Sequence, residues 1–554
     1  MVPAPVAVLR RASLQPAPAA RRPLARPAGG GLNPAAPRHA RGALSSLSWI
    51  KKGIMQRLTG LLRAAALAGA ACFASWSAQA ATDTLVVGVS QAPTTVSPAA
   101  GGYFVLSLVF QTWEPLVARD ADDQLQPALA ERWEMLSPTH WRFHLRKDVK
   151  WHDGTPFTAA DVKYTIDYVT DPKTVYVRKG RIEGVVSTEV VDDDTVDIFT
   201  ESPAPLLLRG LADIAIEQKA ISEQLGAAEA QRKPVGTGPW KFDTLVPNEY
   251  YDLVANEDYW GGAPAMKKLR IRGISEGATR VSSLIAGETH VIEEVPVDLL
   301  PSLQRRRGIE IDAVESSVSL VLTFDTREKP FDDKRVRQAV DYAIDKELLL
   351  KQMLGGYGSV LDGQLVTRNT FGHNPDIEAR PYDPAKAREL LAQAGYPQGF
   401  TTEIKTMSGR YLSDIDIANA AAGMMSEVGV KTTVNNLEAG VWSQLDRARE
   451  QGPIYQIGWF SVGDADFSTV WYTEASKRNY WTSAEFDQLW KDGRSTLDDA
   501  ERLKAYHRMM QIMYDEVPSI FLFGLPRISA RSAAVQGWTP ARDSLLRLAR
   551  VRVE

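Results

Sequence analysis

The sequence predicts an α/β protein of two lobes carrying an inserted, strand-rich piece. Three features carry that expectation. Apolar, β-branched runs alternate with segments whose apolar residues recur at helical spacing. Between residues 125 and 200 that alternation gives way to short alternating strands separated by turns. Beyond about residue 330 the pattern becomes more helical.

The elements follow in order. TLVVGVS (84–90) is an apolar run ending in the turn-forming stretch QAPTTVSPAAGG, and so predicts a buried strand leading into a loop. A core helix is expected from Tyr103, stopped at Pro115, which lacks an N–H. WRFHLRKDVKWHDGTPF and VVSTEVVDDDTVDIFT predict hairpins, the second turning at Asp192, Asp193 and Asp194. Those three carboxylates lack the central Gly and terminal Glu of a calcium loop, and a solvated turn is the expectation. Between the hairpins, Thr158 is placed to cap a helix bearing Val162, Ile166 and Val169.

PVGTGPW (234–240) marks a boundary, followed by a strand in KKLRIRGI and a helix and strand in TRVSSLIAGETHVIEEV. Asp332 is expected to cap a helix with Val336, Ala339, Val340 and Ala343 on one face. Later helices end at Gly395 and Gly429. The last helix, ERLKAYHRMMQIMYDEV, precedes the apolar run IFLFG.

Composition narrows the function. The chain has 554 residues, 44% hydrophobic and 24% charged, enough to bury more than one core. Its 64 Lys+Arg nearly balance 68 Asp+Glu, but 11 of the basic residues fall in the first 80 positions, where there is no acidic residue; 53 basic against 68 acidic remain downstream, a net of −15. A body that acidic repels phosphate backbones and argues against nucleic acid as a partner.

Residues 55–80, MQRLTGLLRAAALAGAACFASWSAQA, combine a basic start, an apolar stretch and small residues at A-x-A spacing, the pattern of a secretory signal peptide. Met55 is then the expected start, and residues 1–54 an upstream extension, disordered or not translated. Cys72, the one cysteine, would leave with the signal, so disulfides, thiolate metal sites and cysteine nucleophiles are not expected in the mature chain. The seven histidines form no zinc spacing; there is no G-x-S-x-G elbow, and GTGPW lacks the Lys and Ser/Thr of a Walker loop. No catalytic residue, metal or cofactor is expected.

Several stretches in a fixed order resemble the family 5 extracytoplasmic solute-binding proteins of ABC transporters. They are PALAERWEMLSPTHWRFHLRKDVKWHDGTPFTAADVKYT, GTGPWKF, NEDYWGGAPAMKKLRIRGI with LIAGETHV, and FDTREKPFDDKRVRQAVDYAIDKE. The resemblance implies a two-lobed periplasmic-binding-protein fold with mixed sheets, two hinge crossovers and an extra subdomain inserted in the first lobe. It assigns the first lobe to 81–118, 236–318 and 520–554, the inserted subdomain to 119–235, the second lobe to 319–519, and crossovers to 318–322 and 517–521. It also implies a monomer that binds a peptide or peptide-like solute in the cleft and delivers it to an inner-membrane ABC permease, with no catalysis of its own. An exported peptidase or amidase using Asp464 and Asp466, or a periplasmic chaperone or sensor, are the alternatives.

Seven aromatics stand in the 23 residues from Trp459 to Trp481, interrupted by Asp464 and Asp466. That density alone fits an aromatic lobe core as well as a cleft wall; the resemblance implies that Trp459, Phe460, Asp464, Asp466 and Trp471 stand on the cleft wall of the second lobe. Arg410 and Tyr411 match a position where peptide-binding relatives carry a cleft Arg and aromatic. From the first lobe, Ser90, Gln91 and Thr94 follow the first strand at its carboxyl end, where open α/β sheets bind ligands, and Tyr103 and Trp113 add aromatic surface. Peptide-binding relatives place an ammonium-binding Asp three residues after the Trp matching Trp459. This chain has Val462 there, which counts against the usual mode of free-peptide binding, and its GDAD form is similar to the glutathione-type branch.

Overall fold

The computed structural model describes residues 82–407 and 409–554; the expected signal peptide and the upstream extension lie outside them. An eleven-stranded mixed sheet runs through the described chain. The strand Thr84–Val89 forms from the apolar run foreseen in the sequence and pairs in parallel with Lys268–Gly273 and Val291–Ile292. Tyr250–Ala255 and Trp240–Val246 complete that side by antiparallel pairing. On the other side lie Ile454–Phe460, Phe400–Thr406 and Val430–Asn436.

Two long strands, Ile309–Phe324 and Ser519–Ser532, link the two sides. One stretch pairs Ile309 with Ser532 through Glu315 with Pro526, and a second pairs Ser319 with Gly524 through Thr323 with Ser519. The register shifts between Glu315 and Ser319, where Ser316 turns its hydroxyl to the Leu525 carbonyl (2.8 Å). Separate apolar cores flank the two portions: Leu85, Val87, Trp240 and Ile271 on the first side, Leu322, Phe324, Val340 and Ile417 on the second.

The inserted piece is a four-stranded antiparallel sheet, ordered Ala130–Ser137, His140–Leu145, Thr195–Thr200, Val185–Asp192. The helix Ala159–Thr170 buries Val162, Ile166 and Val169 against it. Its start is fixed as expected at Thr158, whose N–H donates to the Asp161 carboxylate (3.0 Å). Elsewhere one cap moves: the helix Lys334–Tyr342 is capped by Asp333, not Asp332. Asp332 belongs to the preceding turn, its N–H donating to the Glu328 carbonyl. Gly395 and Gly429 end their helices at φ 92° and 101°, conformations that favour glycine.

GTGPW proves to be a clasp rather than a phosphate loop. A Cβ on Gly238 would sit 2.7 Å from the Thr112 carbonyl oxygen, and Gly236 leaves still less room. His152 closes the clasp: its Nε2 donates to the Gly238 carbonyl (2.9 Å) while Nδ1 accepts from the Gly236 N–H (3.2 Å). Burial holds His152 at about 4, neutral at ordinary pH, so the ring is a structural bridge. Thr237 donates to Glu114 (2.9 Å), which also accepts from Tyr259 (2.7 Å) and Trp260 (2.9 Å).

Burial pushes Glu114 up to about 7 against its ordinary 4.5, despite those three donors. The folded state therefore holds this proton more firmly than the unfolded chain. The group's contribution to stability is greatest below about pH 4.5 and declines as pH rises toward 7. Glu114→Gln mimics the protonated form and is expected to flatten that decline, read as a smaller difference between urea midpoints at pH 5 and pH 7.5 than in the wild type.

Candidate functional site

The strand Ile454–Phe460 ends at the edge of the second lobe in a tight turn in which Val462 and Gly463 take φ values of 45° and 74°. The short helix Asp466–Thr469 follows. The turn carries the second lobe against the first. Phe460 stacks on Tyr103, with centroids 5.0 Å apart and planes at 14°. The Arg181 guanidinium lies 4.2 Å over Phe467, and Leu206 joins Val462 and Phe467 in a small apolar cluster. Arg209 donates to the Val462 carbonyl (3.4 Å), and Arg494 reaches Glu183 at 3.6 Å. The two lobes are closed on one another along this line.

Behind the first-lobe face lies a buried charge network. Arg119, whose side chain is completely enclosed, contacts Asp213 at 2.6 Å, Asp123 at 3.1 Å and Asp543 at 3.6 Å. Asp213 also accepts from the Tyr103 hydroxyl (2.8 Å) and lies 3.3 Å from Arg181. Burial alone would raise the Asp213 carboxyl, but Arg119 and Arg181 outweigh it and hold it below the usual range. The network thus fixes Tyr103 through its hydroxyl and leaves its ring face for Phe460.

The residues singled out in the sequence are distributed unevenly over this geometry. Tyr103 and Phe460 meet across the lobes. Ser90 donates to the Glu294 carboxylate at the carboxyl end of the first strand, while Gln91 and Thr94 are exposed on the loop beyond. Arg410 is exposed, its guanidinium 4.9 Å over Trp442 and 5.4 Å from the Tyr411 ring centre. Tyr411 donates to the Gly458 carbonyl (3.3 Å), and its ring leaves no room for a Cβ there.

Other positions depart from the expected cleft wall. Trp113 is buried in the inserted subdomain's core among Leu116, Phe143 and Ile216. Trp459 is buried and stacks on the half-exposed Trp471 (5.0 Å, 13°), so the aromatic segment mostly builds the second lobe's own core, with Tyr455, Tyr480 and Trp481. Asp464 is locked in a buried ion pair with Arg502 (2.8 Å) and accepts the Asp466 N–H. Asp466 lies 3.4 Å from Arg494, and burial raises it to about 6. Asp464 is not free for a ligand ammonium, because Arg502 already neutralises it, whereas Asp466 has only the looser Arg494 contact and its Oδ1 accepts no hydrogen bond. Arg119, Arg181, Arg209 and Asp213 went unnoticed in the sequence: Arg119, Arg181 and the Arg209–Asp213 stretch come from separate segments, and no local pattern links them.

The lobes approach closely at Gly463. A Cβ there would come 2.9 Å from Asp123 Oδ2 and closer still to the Arg209 guanidinium. Gly463→Ala is expected to hold the lobes apart and weaken solute binding by about ten- to a hundredfold, matching roughly 1–3 kcal/mol of strain. Titration calorimetry on the wild type and variant checks this; equal affinity contradicts it.

A two-lobed α/β molecule with a subdomain inserted in its first lobe, closing on an aromatic and arginine-lined seam, is built as a binding protein. The chain matches the model of the bacterial extracellular solute-binding proteins, family 5 Middle, over residues 124–481, and it belongs to that family. The glutathione-binding protein GsiB of Pectobacterium atrosepticum is 29% identical over 450 residues, covering 78% of this chain and 87% of that protein. GsiB of Escherichia coli K12 is 28% identical over 471 residues, covering 82% and 91%. NikZ from Campylobacter jejuni, solved in complex with Ni(L-His), superposes with a TM-score of 0.75 at 25% identity, over 84% of this chain and 97% of that one. The ABC transporter-associated periplasmic binding protein DppA from Helicobacter pylori, in complex with peptide STSA, superposes with a TM-score of 0.76 at 24% identity over 85% and 98%, a likeness of fold.

Proposed function

We propose that this protein captures a peptide-like solute between its lobes in the periplasm and hands it to an inner-membrane ABC permease, itself catalysing nothing. The observation that carries the reading is the seam of Tyr103 on Phe460 and Arg181 on Phe467, a closure in which a solute would be shut away from water. In this reading 55–80 is the export signal, 119–235 the inserted subdomain, 319–519 the second lobe, and the two lobes are joined by crossovers near 318–322 and 517–521. The protein acts as a monomer. Among the described residues no helix is long and apolar enough to cross a membrane.

Within the peptide-like class, two features favour a solute of the glutathione type over an ordinary peptide. Relatives at 28–29% identity are named for glutathione. The position expected to supply an ammonium-binding Asp is the buried Val462, and Asp464 is held by Arg502. Thermal unfolding with glutathione, a tripeptide and a Ni–histidine chelate tests the proposal. A solute at one hundred times its Kd adds about 2.7 kcal/mol of stability. The expected result is a raised Tm with glutathione; no shift with any of the three overturns the binding reading.

A further inference from the structure

The inserted subdomain holds a crevice of about 200 Å³, the open solvent at its mouth included, built from residues that take no part in the seam. Its apolar walls include Trp113, Ile221 and Val235, and its polar lining is Glu217, Gln218 and Ser222. Glu217 is 3% exposed. Both of its carboxylate oxygens rely on one donor, the Gln231 amide, at 3.2 and 3.1 Å. Ser97 donates to the oxygen of that amide, which leaves its nitrogen turned to Glu217. Among the described residues no basic side chain pairs with Glu217; the titratable groups that feel its charge are the phenols of Tyr164, Tyr168 and Tyr176.

Elsewhere the buried acids are met more fully. Asp213 faces Arg119, Asp464 faces Arg502, Glu293 faces Arg527, and Glu114 has three neutral donors. A carboxylate out of water with a single amide donor is costly. Its neighbour Gln218, also buried, is fixed by two bonds from Nε2, to Asp153 (2.9 Å) and Thr155 (2.8 Å). Those bonds settle which end of the amide is oxygen, and Oε1 is left enclosed without a partner. A proton on Glu217 would relieve the carboxylate and leave the Gln218 oxygen unmet; a cation held by both residues answers both. One carboxylate balances one positive charge, whereas a divalent ion such as calcium gathers about 6–8 oxygens, carboxylates among them.

We infer that Glu217 and Gln218 form a binding site for a small monovalent cation, potassium or ammonium, in the inserted subdomain, with Ser222 and water from the mouth of the crevice completing its shell. Bound there, the ion braces the start of the helix Lys219–Leu225 and, through Gln231, the Ser97 loop beyond the first strand. The site is independent of the solute.

Burial raises the Glu217 carboxyl to about 7, so a proton competes with the ion and the test is run at pH 8, without solute. Thermal unfolding is followed in choline chloride, and again as choline is replaced stepwise by potassium or ammonium at constant ionic strength. The expected result is a saturable rise in Tm of about 2–4 °C. Glu217→Gln, which keeps the shape and removes the charge, is expected to abolish it. Rubidium substitutes for potassium and scatters anomalously, and in crystals it is expected to give a peak beside Glu217. Equal Tm in choline and in the smaller cations, with no rubidium peak at Glu217, overturns the inference, the proton alone then meeting the carboxylate. A rise that persists undiminished in Glu217→Gln overturns it too, as a general effect of salt. Neither result bears on capture of the solute.

Discussion

Replacing Arg119 with methionine is expected to cost about 3–5 kcal/mol of folding stability, the range seen when one partner of a buried charge network is removed. The size follows from the number of groups left behind. Asp213, Asp123 and Asp543 all face this guanidinium within 4 Å, and the Arg119 and Asp543 side chains are completely enclosed. Arg181 and Arg547 remain, at 3.3 Å from Asp213 and 2.8 Å from Asp543, but neither bridges all three carboxylates. Asp213 also fixes the Tyr103 hydroxyl, so loss of Arg119 loosens the ring that meets Phe460. Urea unfolding followed by circular dichroism checks the prediction; a loss below about 1 kcal/mol would place Arg119 among ordinary surface pairs.

Asp464→Asn carries the second large effect, about 3 kcal/mol or more, because Arg502 then keeps a buried charge without its 2.8 Å partner, facing only the exposed Asp499 at 3.4 Å and an Asp466 that already pairs with Arg494. The variant Asp464→Leu with Arg502→Met removes both charges and is expected to recover most of the loss. That pattern separates two meanings of a buried aspartate. A structural ion pair predicts equal destabilisation with and without solute and recovery in the double variant. An acid/base role in an exported peptidase predicts turnover of a bound peptide that disappears in Asp464→Asn; tight binding without turnover rejects it.

Asp464 also shows where sequence reading stops. Its place among aromatics suggested a cleft wall, but the residue that decides its role, Arg502, lies 38 positions away on the helix Asp499–Glu516. The same holds for Arg119, whose partners come from three separate segments. Local patterns were legible because their causes are local: Thr158 caps its helix, Gly395 and Gly429 end theirs, and TLVVGV forms the buried first strand. The aromatic density from Trp459 to Trp481 was visible, but composition does not distinguish a ring that faces the other lobe, such as Phe460, from one that fills its own lobe, such as Trp459. Spacing identifies an element and its buried face; which charged groups meet depends on the closure of the whole sheet.

Native mass spectrometry of the protein released gently from the periplasm tests the central claim most directly. The account predicts a monomer beginning near Ala81 that carries one small molecule, released on denaturation and identified by its mass as glutathione or another peptide-like solute. A protein that is empty as isolated, and stays empty after incubation with glutathione and with peptides, would contradict the claim that its cleft captures such a solute.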